Sequence, residues 1–170
     1  MTKAFSHEKT EGHDEWLTPK YITDALGPFD LDPCSPINRP WDTAASYYTQ
    51  LDDGLTKDWH GRIWCNPPYG TETKKWLAKL AAHGNGIALV FSRTETSTFF
   101  QNVWGKADAI FFFKGRLKFC DVQGNESGSA GAPSCLIAYG KGNTESIRKA
   151  MFDGKIKGVF VPLYDIESNV

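Results

Sequence analysis

The sequence predicts an α/β fold: a mostly parallel sheet flanked by helices, in one compact domain. Three observations carry that expectation. Apolar runs of strand length, GIALVF at 86–91, AIFFF at 109–113 and SCLIAY at 134–139, are hydrophobic throughout rather than alternating, as befits strands covered on both faces. Helical spacing stands between several of the runs, clearest at Trp76, Leu77 and Leu80. Strand and helix patterns alternate along much of the chain, which is how crossovers build parallel sheets. A length of 170 residues fits one domain, and a hydrophobic content of 41% is enough to fill its core.

Each element has a local reason. Residues 1–14 are polar and are expected to be a flexible segment, followed by the folded domain at 15–170. Pro19 to Leu26 reads as a short helix, with Pro19 in its first turn and Gly27-Pro28 as its stop. Phe29 to Leu31 is a short strand ended by Asp32-Pro33. Cys34 to Trp41 holds two more prolines and an asparagine, and is a loop. Ala44 to Tyr48 is expected to form a helical turn. Arg62 to Asn66 is the second strand, closed by Pro67-Pro68, because proline cannot donate to a sheet ladder. A helix follows at 72–83, a strand at 86–91, a helix at 96–104 and a strand at 109–113. Lys114 to Ala132 is rich in glycine, serine and charge, and is expected to be a functional surface loop. Strands at 134–139 and 158–163 enclose a helix at 144–152.

Composition removes several function classes. The four cysteines, Cys34, Cys65, Cys120 and Cys135, lack paired C-x-x-C spacing, so no metal site is expected. No apolar run approaches membrane-spanning length, and no signal segment is expected. The net charge of −1 means that any nucleic-acid contact needs its positive charge gathered on one face.

The chemistry concentrates in IWCNPPYG at 63–70. Asn66 offers an amide carbonyl and Pro67 a backbone carbonyl, two acceptors held in a stiff corner. Two fixed acceptors suit an exocyclic NH₂ group, and Tyr69 supplies an aromatic face for the ring that bears it. The site therefore reads as a holder of a planar amino-heterocycle such as adenine. As such a nitrogen attacks an electrophile its charge rises, and preplaced acceptors stabilise that state more than the ground state. The plain alternative is an Asn-Pro turn that only ends a strand.

Further motifs stand around it in order: EW-TP (Glu15, Trp16, Thr18, Pro19), LDP (Leu31 to Pro33), DGL with a later tryptophan (Asp53 to Leu55, Trp59), NPPYG (Asn66 to Gly70), SRTET followed by FF, and GRLKF followed by APSC. This ordered set, over about 15–139, resembles the phage and prophage type of DNA N6-adenine methyltransferase. The resemblance implies a Rossmann-like S-adenosylmethionine-dependent methyltransferase fold, S-adenosylmethionine as cofactor, double-stranded DNA as partner, and the cytoplasm of a bacterial host as the setting. It implies that Asn66, Pro67, Pro68 and Tyr69 form the catalytic motif, with Asn66 also near the cofactor. It places Trp16, Thr18, Pro19, Asp30, Asp32, Pro33 and Asp53 at the cofactor: Asp32 toward its methionine ammonium, Thr18 and Pro19 over its carboxylate, Asp53 toward its adenine amine. Asp32 as a loop cap and Asp53 as a turn aspartate are the plainer readings. The loop DPCSPINRP departs from the glycine-rich pattern of many such enzymes. Arg93, Lys114, Arg116 and Lys118 are the expected DNA contacts, the last three alternating along one side of an extended strand. NPPY also serves methyltransferases of protein glutamine and of RNA, and a catalytically silent DNA-binding protein could keep the fold; both alternatives stay open at this point.

Overall fold

The computed structural model describes residues 16–163, so the segment 1–14 and Glu15 lie outside the described residues. The apolar runs become the strands of one sheet: β1 (Leu31–Asp32), β2 (Ser46–Tyr47), β3 (Ile63–Cys65), β4 (Gly86–Phe91), β5 (Ala109–Phe113), β6 (Ser134–Tyr139) and β7 (Gly158–Pro162). The strand order is β2-β1-β3-β4-β6-β5-β7. The pairs β1–β2, β1–β3 and β3–β4 are parallel, whereas β4–β6, β5–β6 and β5–β7 are antiparallel. The expectation of a mostly parallel sheet is thereby corrected to a mixed one. The cause lies in the long excursion at 114–133. It leaves β5 and returns into β6 at the same edge of the sheet, with Ser134 opposite Phe91. The returning strand must run backwards, and it does so between β4 and β5.

A second correction concerns Ala44 to Tyr48, which forms no helical turn. Ser46–Tyr47 is strand β2, tied to β1 by Ser46 N–H to Asp30 O at 2.9 Å and Tyr48 N–H to Asp32 O at 2.9 Å. Tyrosine favours extended backbone, and β1 has a free edge there.

Four helices cover the sheet: α1 (Lys20–Leu26), α2 (Thr73–His83), α3 (Ser97–Asn102) and α4 (Lys141–Phe152). The two-residue period of the strands divides the core into two layers. Trp64, Ile87, Leu89, Leu136 and Ala138 pack with Ile22 and Leu26 of α1 and Ile147 and Ala150 of α4. Ile63, Cys65, Ala88, Val90, Cys135 and Ile137 pack with Trp76, Leu77 and Leu80 of α2 and Phe99 of α3. Leu77 and Leu80 are fully buried, and each contributes about 2 kcal/mol of hydrophobic stabilisation.

One polar contact joins α1, α4 and the start of β3. Arg62 donates from Nε to Asn143 Oδ1 at 2.6 Å, from Nη1 to Leu26 O at 2.6 Å and Pro28 O at 2.9 Å, and from Nη2 to Ser146 Oγ at 3.0 Å. Its guanidinium also lies 4.3 Å from the Phe29 ring centroid. The fork therefore satisfies the end of α1, where carbonyls have no helical partner. We expect Arg62→Ala to lose about 2–4 kcal/mol of stability, because several partners are orphaned together. Arg62→Lys should recover less than half of that loss, since an ammonium cannot reproduce the fork. Urea unfolding midpoints measure both, and a wild-type midpoint in the alanine variant would refute the clamp.

Candidate active site at the carboxyl edge of the sheet

The pleat decides which side chains meet. Leu31, Ile63, Cys65, Ala88 and Val90 face the α2/α3 layer. Their neighbours Asp32, Asn66 and Phe91, at the carboxyl ends of β1, β3 and β4, therefore project to the α1/α4 side. There the segment entering α1 covers them. Leu17 pairs with Cys120 of the 114–133 excursion through N–H···O bonds of 2.9 and 3.0 Å, and this holds Thr18 at 3% exposure.

Asn66 is held at three of its groups. Its backbone follows β3, its main-chain oxygen accepts from Cys34 Sγ at 3.3 Å, and its Nδ2 donates to Thr18 Oγ1 at 3.3 Å. With Nδ2 engaged, Oδ1 is the free end of the amide. Among the described residues neither Asn66 Oδ1 nor the Pro67 carbonyl accepts a hydrogen bond. The Pro68 carbonyl, in contrast, accepts from Thr73 Oγ1 at 2.6 Å and is spent on the turn into α2.

Tyr69 lies flat on Phe91, with ring centroids 4.1 Å apart and planes within 1°. The Phe119 ring meets it edge-on at 6.4 Å. Tyr69 keeps 43% of its surface in solvent, yet packing desolvates its phenol and raises its pKa, so the hydroxyl stays protonated. Phe91 carried no sequence signal of its own, since it reads as the last residue of an apolar strand.

Asp32 is 3% exposed. Thr43 Oγ1 donates to its Oδ2, and Cys34 N–H donates to its Oδ1 at 3.1 Å. Burial pushes its pKa up to about 6, against the opposing pull of these two bonds and of the Arg39 charge. Cys34 N–H two residues on fits the loop-cap reading of Asp32, whereas Thr43 was not legible as a partner, because no spacing rule connects a loop hydroxyl to a carboxylate eleven positions earlier. Pro33 is also buried, and Gly54 seats against it: a Cβ on Gly54 would stand 2.0 Å from Pro33 O. This contact brings Asp53 beside the end of β1. Asp53 holds a left-handed backbone, φ 54°, and caps a 3-10 turn at Gly54–Thr56. Pro19 is buried at the start of α1, and Trp16 is 40% exposed at the rim.

Other expected residues are placed differently. Asp30 spends its carboxylate on Arg62 N–H at 2.7 Å. That is the amino end of β3, about 13 Å of strand from Asn66, so Asp30 does not join the cluster. Lys114, Arg116 and Lys118 are all exposed, but no strand carries them, and Gly115 at φ 77° breaks the alternation. They ride instead on an irregular arm closed by Ser127 N–H to Phe119 O and Ala130 N–H to Leu117 O, each 2.8 Å. Lys118 lies 3.9 Å from Glu126, and Arg116 donates to Ala130 O at 3.3 Å. The arm's tip packs Gly124 against Pro40 and Trp41. Arg93 is exposed just past β4, its guanidinium 6.0 Å from the Phe91 ring centroid. Two clefts on the α1 side, one lined by Arg62, Ser146 and Lys149, the other by Thr23, Phe29 and Thr43, take in neither Asn66 nor Tyr69.

Among the described residues no group of three or more His, Cys, Asp or Glu stands together as a metal-binding set, and no helix is long and apolar enough to cross a membrane. What the edge does present is a buried carboxylate, two unspent carbonyl acceptors and a stacked tyrosine, side by side.

The Asp32 environment has a consequence for stability. In the folded chain its carboxyl keeps a proton up to about pH 6, whereas unfolded it ionises near 3.8. Between those values unfolding releases a proton, so this group's contribution falls as pH rises through the window and stays low above it. Asp32→Asn should therefore raise the melting temperature at about pH 8, by the equivalent of about 3 kcal/mol. The gain should disappear near pH 4, and melting curves at the two pH values measure it. A gain independent of pH would show that the carboxylate charge is not its source.

A family model described as DNA N-6-adenine-methyltransferase (Dam) matches residues 5–150. Comparison with curated proteins and with solved structures gave no match. The matched span contains the proline corner, Asp32, Thr18 and the whole of the arm, and the chain belongs to the DNA N-6-adenine-methyltransferase (Dam) family.

Proposed function

We propose that the chain methylates the N6 amine of adenine in double-stranded DNA, with the target base extruded into the corner formed by Asn66, Pro67, Pro68 and Tyr69. The observation that carries this reading is the pair of free acceptors, Asn66 Oδ1 and Pro67 O, beside a fixed amide nitrogen. An adenine amine has two N–H groups, and these two oxygens can take both.

S-adenosylmethionine fits the residues at the end of β1. Asp32 is a buried carboxylate whose donors are a hydroxyl and a backbone N–H; burial raises its pKa even against the Arg39 charge, and no cation donates a hydrogen bond to it. An ammonium group supplies that cation. Asp32 would hold it, with Pro33, Thr18, Pro19, Trp16 and Asp53 around the remainder. When bound, S-adenosylmethionine supplies an electrophilic methyl group on a sulfonium.

The chain's own residues do the rest. Asn66 Oδ1 and Pro67 O accept the two amine hydrogens and turn the nitrogen lone pair out of conjugation with the ring. Positive charge builds on that nitrogen as it attacks, and both oxygen dipoles already point at it. By analogy with a single oxyanion-hole donor, each is worth on the order of 3 kcal/mol in the transition state. The amine proton departs past Asn66 Oδ1 toward solvent. Tyr69 stacks on the base, and its protonated phenol keeps the stacking face neutral. A base inside a duplex is out of reach, so extrusion precedes chemistry. Arg93, Lys114 and Arg116 stand exposed around this edge, where they can meet phosphates while the net charge stays at −1. Resemblance supports a bacterial, phage or prophage setting.

Asn66→Ala should lower methylation of unmethylated duplex DNA by about a thousandfold or more while calorimetric affinity for S-adenosylmethionine changes less than about threefold. Near-normal turnover in that variant, or methyl transfer to RNA or bulk protein in preference to DNA, would refute the reading. Thr18→Val should lower kcat by about tenfold through loss of the amide's anchor, and Thr18→Ser should restore it. If the valine variant altered only cofactor KM, the anchor role would fall.

A further inference from the structure

Two hydroxyls at this edge, those of Ser92 and Ser134, are buried without a hydrogen-bond partner among the described residues. Ser134 is 1% exposed, and its hydroxyl makes no hydrogen bond. Such a group weakens the fold, and its retention calls for a reason. Its position supplies one. Ser134 opens β6 directly opposite Phe91. The next pair along is the hydrogen-bonded one, Ser92 N–H to Pro133 O at 2.9 Å. Phe91 and Ser134 therefore form a non-hydrogen-bonded pair, with Cα atoms about 4.5 Å apart and side chains on the same face. That face is the α1/α4 side, since Leu89 and Leu136, two residues back on each strand, both pack there. The Phe91 ring carries Tyr69. The hydroxyl thus sits beside the aromatic floor of the site. Its other strand neighbour, one step beyond the Phe112 and Cys135 pair, is the apolar Phe113. Ser92 differs in its face: with Val90 and Cys135 it lies on the α2/α3 side, away from Phe91 and Tyr69.

We propose that Ser134 is a further substrate-binding residue, whose hydroxyl donates a hydrogen bond to a ring nitrogen flanking the amine of the extruded adenine, N1 or N7. This rests on the reading that adenine is the substrate. With both amine hydrogens taken by Asn66 Oδ1 and Pro67 O, the acceptors left on that edge of the base are N1 and N7. A base seated on Phe91, with the Tyr69 ring swung off Phe91 to cover the base's other face, brings that edge to Ser134. The hydroxyl then gains the partner it lacks and fixes the rotation of the base in its own plane.

The test pairs a side-chain deletion with single-atom deletions in the substrate. Wild type and Ser134→Ala are assayed on duplexes carrying adenine, 1-deazaadenine or 7-deazaadenine at the target position, with melting temperatures measured alongside. Ser134→Ala should melt no lower than wild type, since only an unpartnered hydroxyl is removed, yet lose about tenfold in kcat/KM on adenine. On one of the two analogues the wild type should lose about tenfold while Ser134→Ala loses nothing further. Wild-type rates in the alanine variant, or equal losses of both enzymes on both analogues, would overturn the assignment of Ser134 alone. A wild-type chain that transfers no methyl to any adenine duplex would overturn the parent reading and this assignment together.

Discussion

The hydrogen bond from Asn66 Nδ2 to Thr18 Oγ1 decides which end of an amide is free. An amide offers a donor end and an acceptor end of nearly the same shape, and the site needs the acceptor. The choice is made by a residue 48 positions away, in a segment that is itself held by two backbone bonds to Cys120. Cys120 belongs to the arm that also carries Lys114, Arg116 and Lys118. Orientation of the Asn66 amide thus depends on the docking of the arm that carries the proposed DNA contacts, and the contact links the proposed site to the outer surface.

Cys34 makes a second link. Its backbone N–H holds Asp32, and its thiol reaches the main-chain oxygen of Asn66. One residue spans the two motifs that would hold cofactor and base. The substitution of DPCSPINRP for a glycine-rich loop makes sense in that light. Glycine lets a backbone approach a ligand, whereas this loop uses the backbone N–H and the thiol of one cysteine to fix Asp32 and Asn66 relative to each other. Asp53 approaches by another route: Gly54 removes its Cβ so that the turn can press on Pro33.

Much of this was legible in the sequence, and the failures have physical causes. Strand positions and the proline corner were readable, because long apolar runs and consecutive prolines leave few alternatives. Direction was not. Periodicity locates β6 but says nothing of which way it runs, and only the return of the 114–133 excursion at the same edge reverses it. Residues 46–47 were misread because a short alanine-led stretch favours helix locally, while the open edge of β1 rewards extension. Within the site, Asn66, Tyr69 and Asp32 could be named from motif order. Thr43, Phe91 and Ser134 could not, since each acquires its place through a tertiary contact. Asp30 shows the converse hazard. It stands two residues before Asp32, just ahead of β1, and carries the same charge, yet its carboxylate serves the backbone N–H of Arg62.

The distribution of strain supports the location of function independently of any motif. Away from the carboxyl edge the Arg62 fork has partners on every arm, and Asn143 bonds Asn85 Oδ1 and Tyr139 O, while the buried indole N–H groups of Trp41 and Trp64 have no partner among the described residues. At the edge stand a carboxyl whose ionisation burial opposes, a non-glycine residue at positive φ, and a buried hydroxyl with no partner. Each costs stability, and a bound group could relieve the first and the last: an ammonium for Asp32 and a ring acceptor for Ser134. Unfavourable features gathered at this edge, next to carbonyls with nothing to accept, are what a site shaped for a ligand carries. A fold selected for stability alone would have placed asparagine, glycine and alanine at positions 32, 53 and 134.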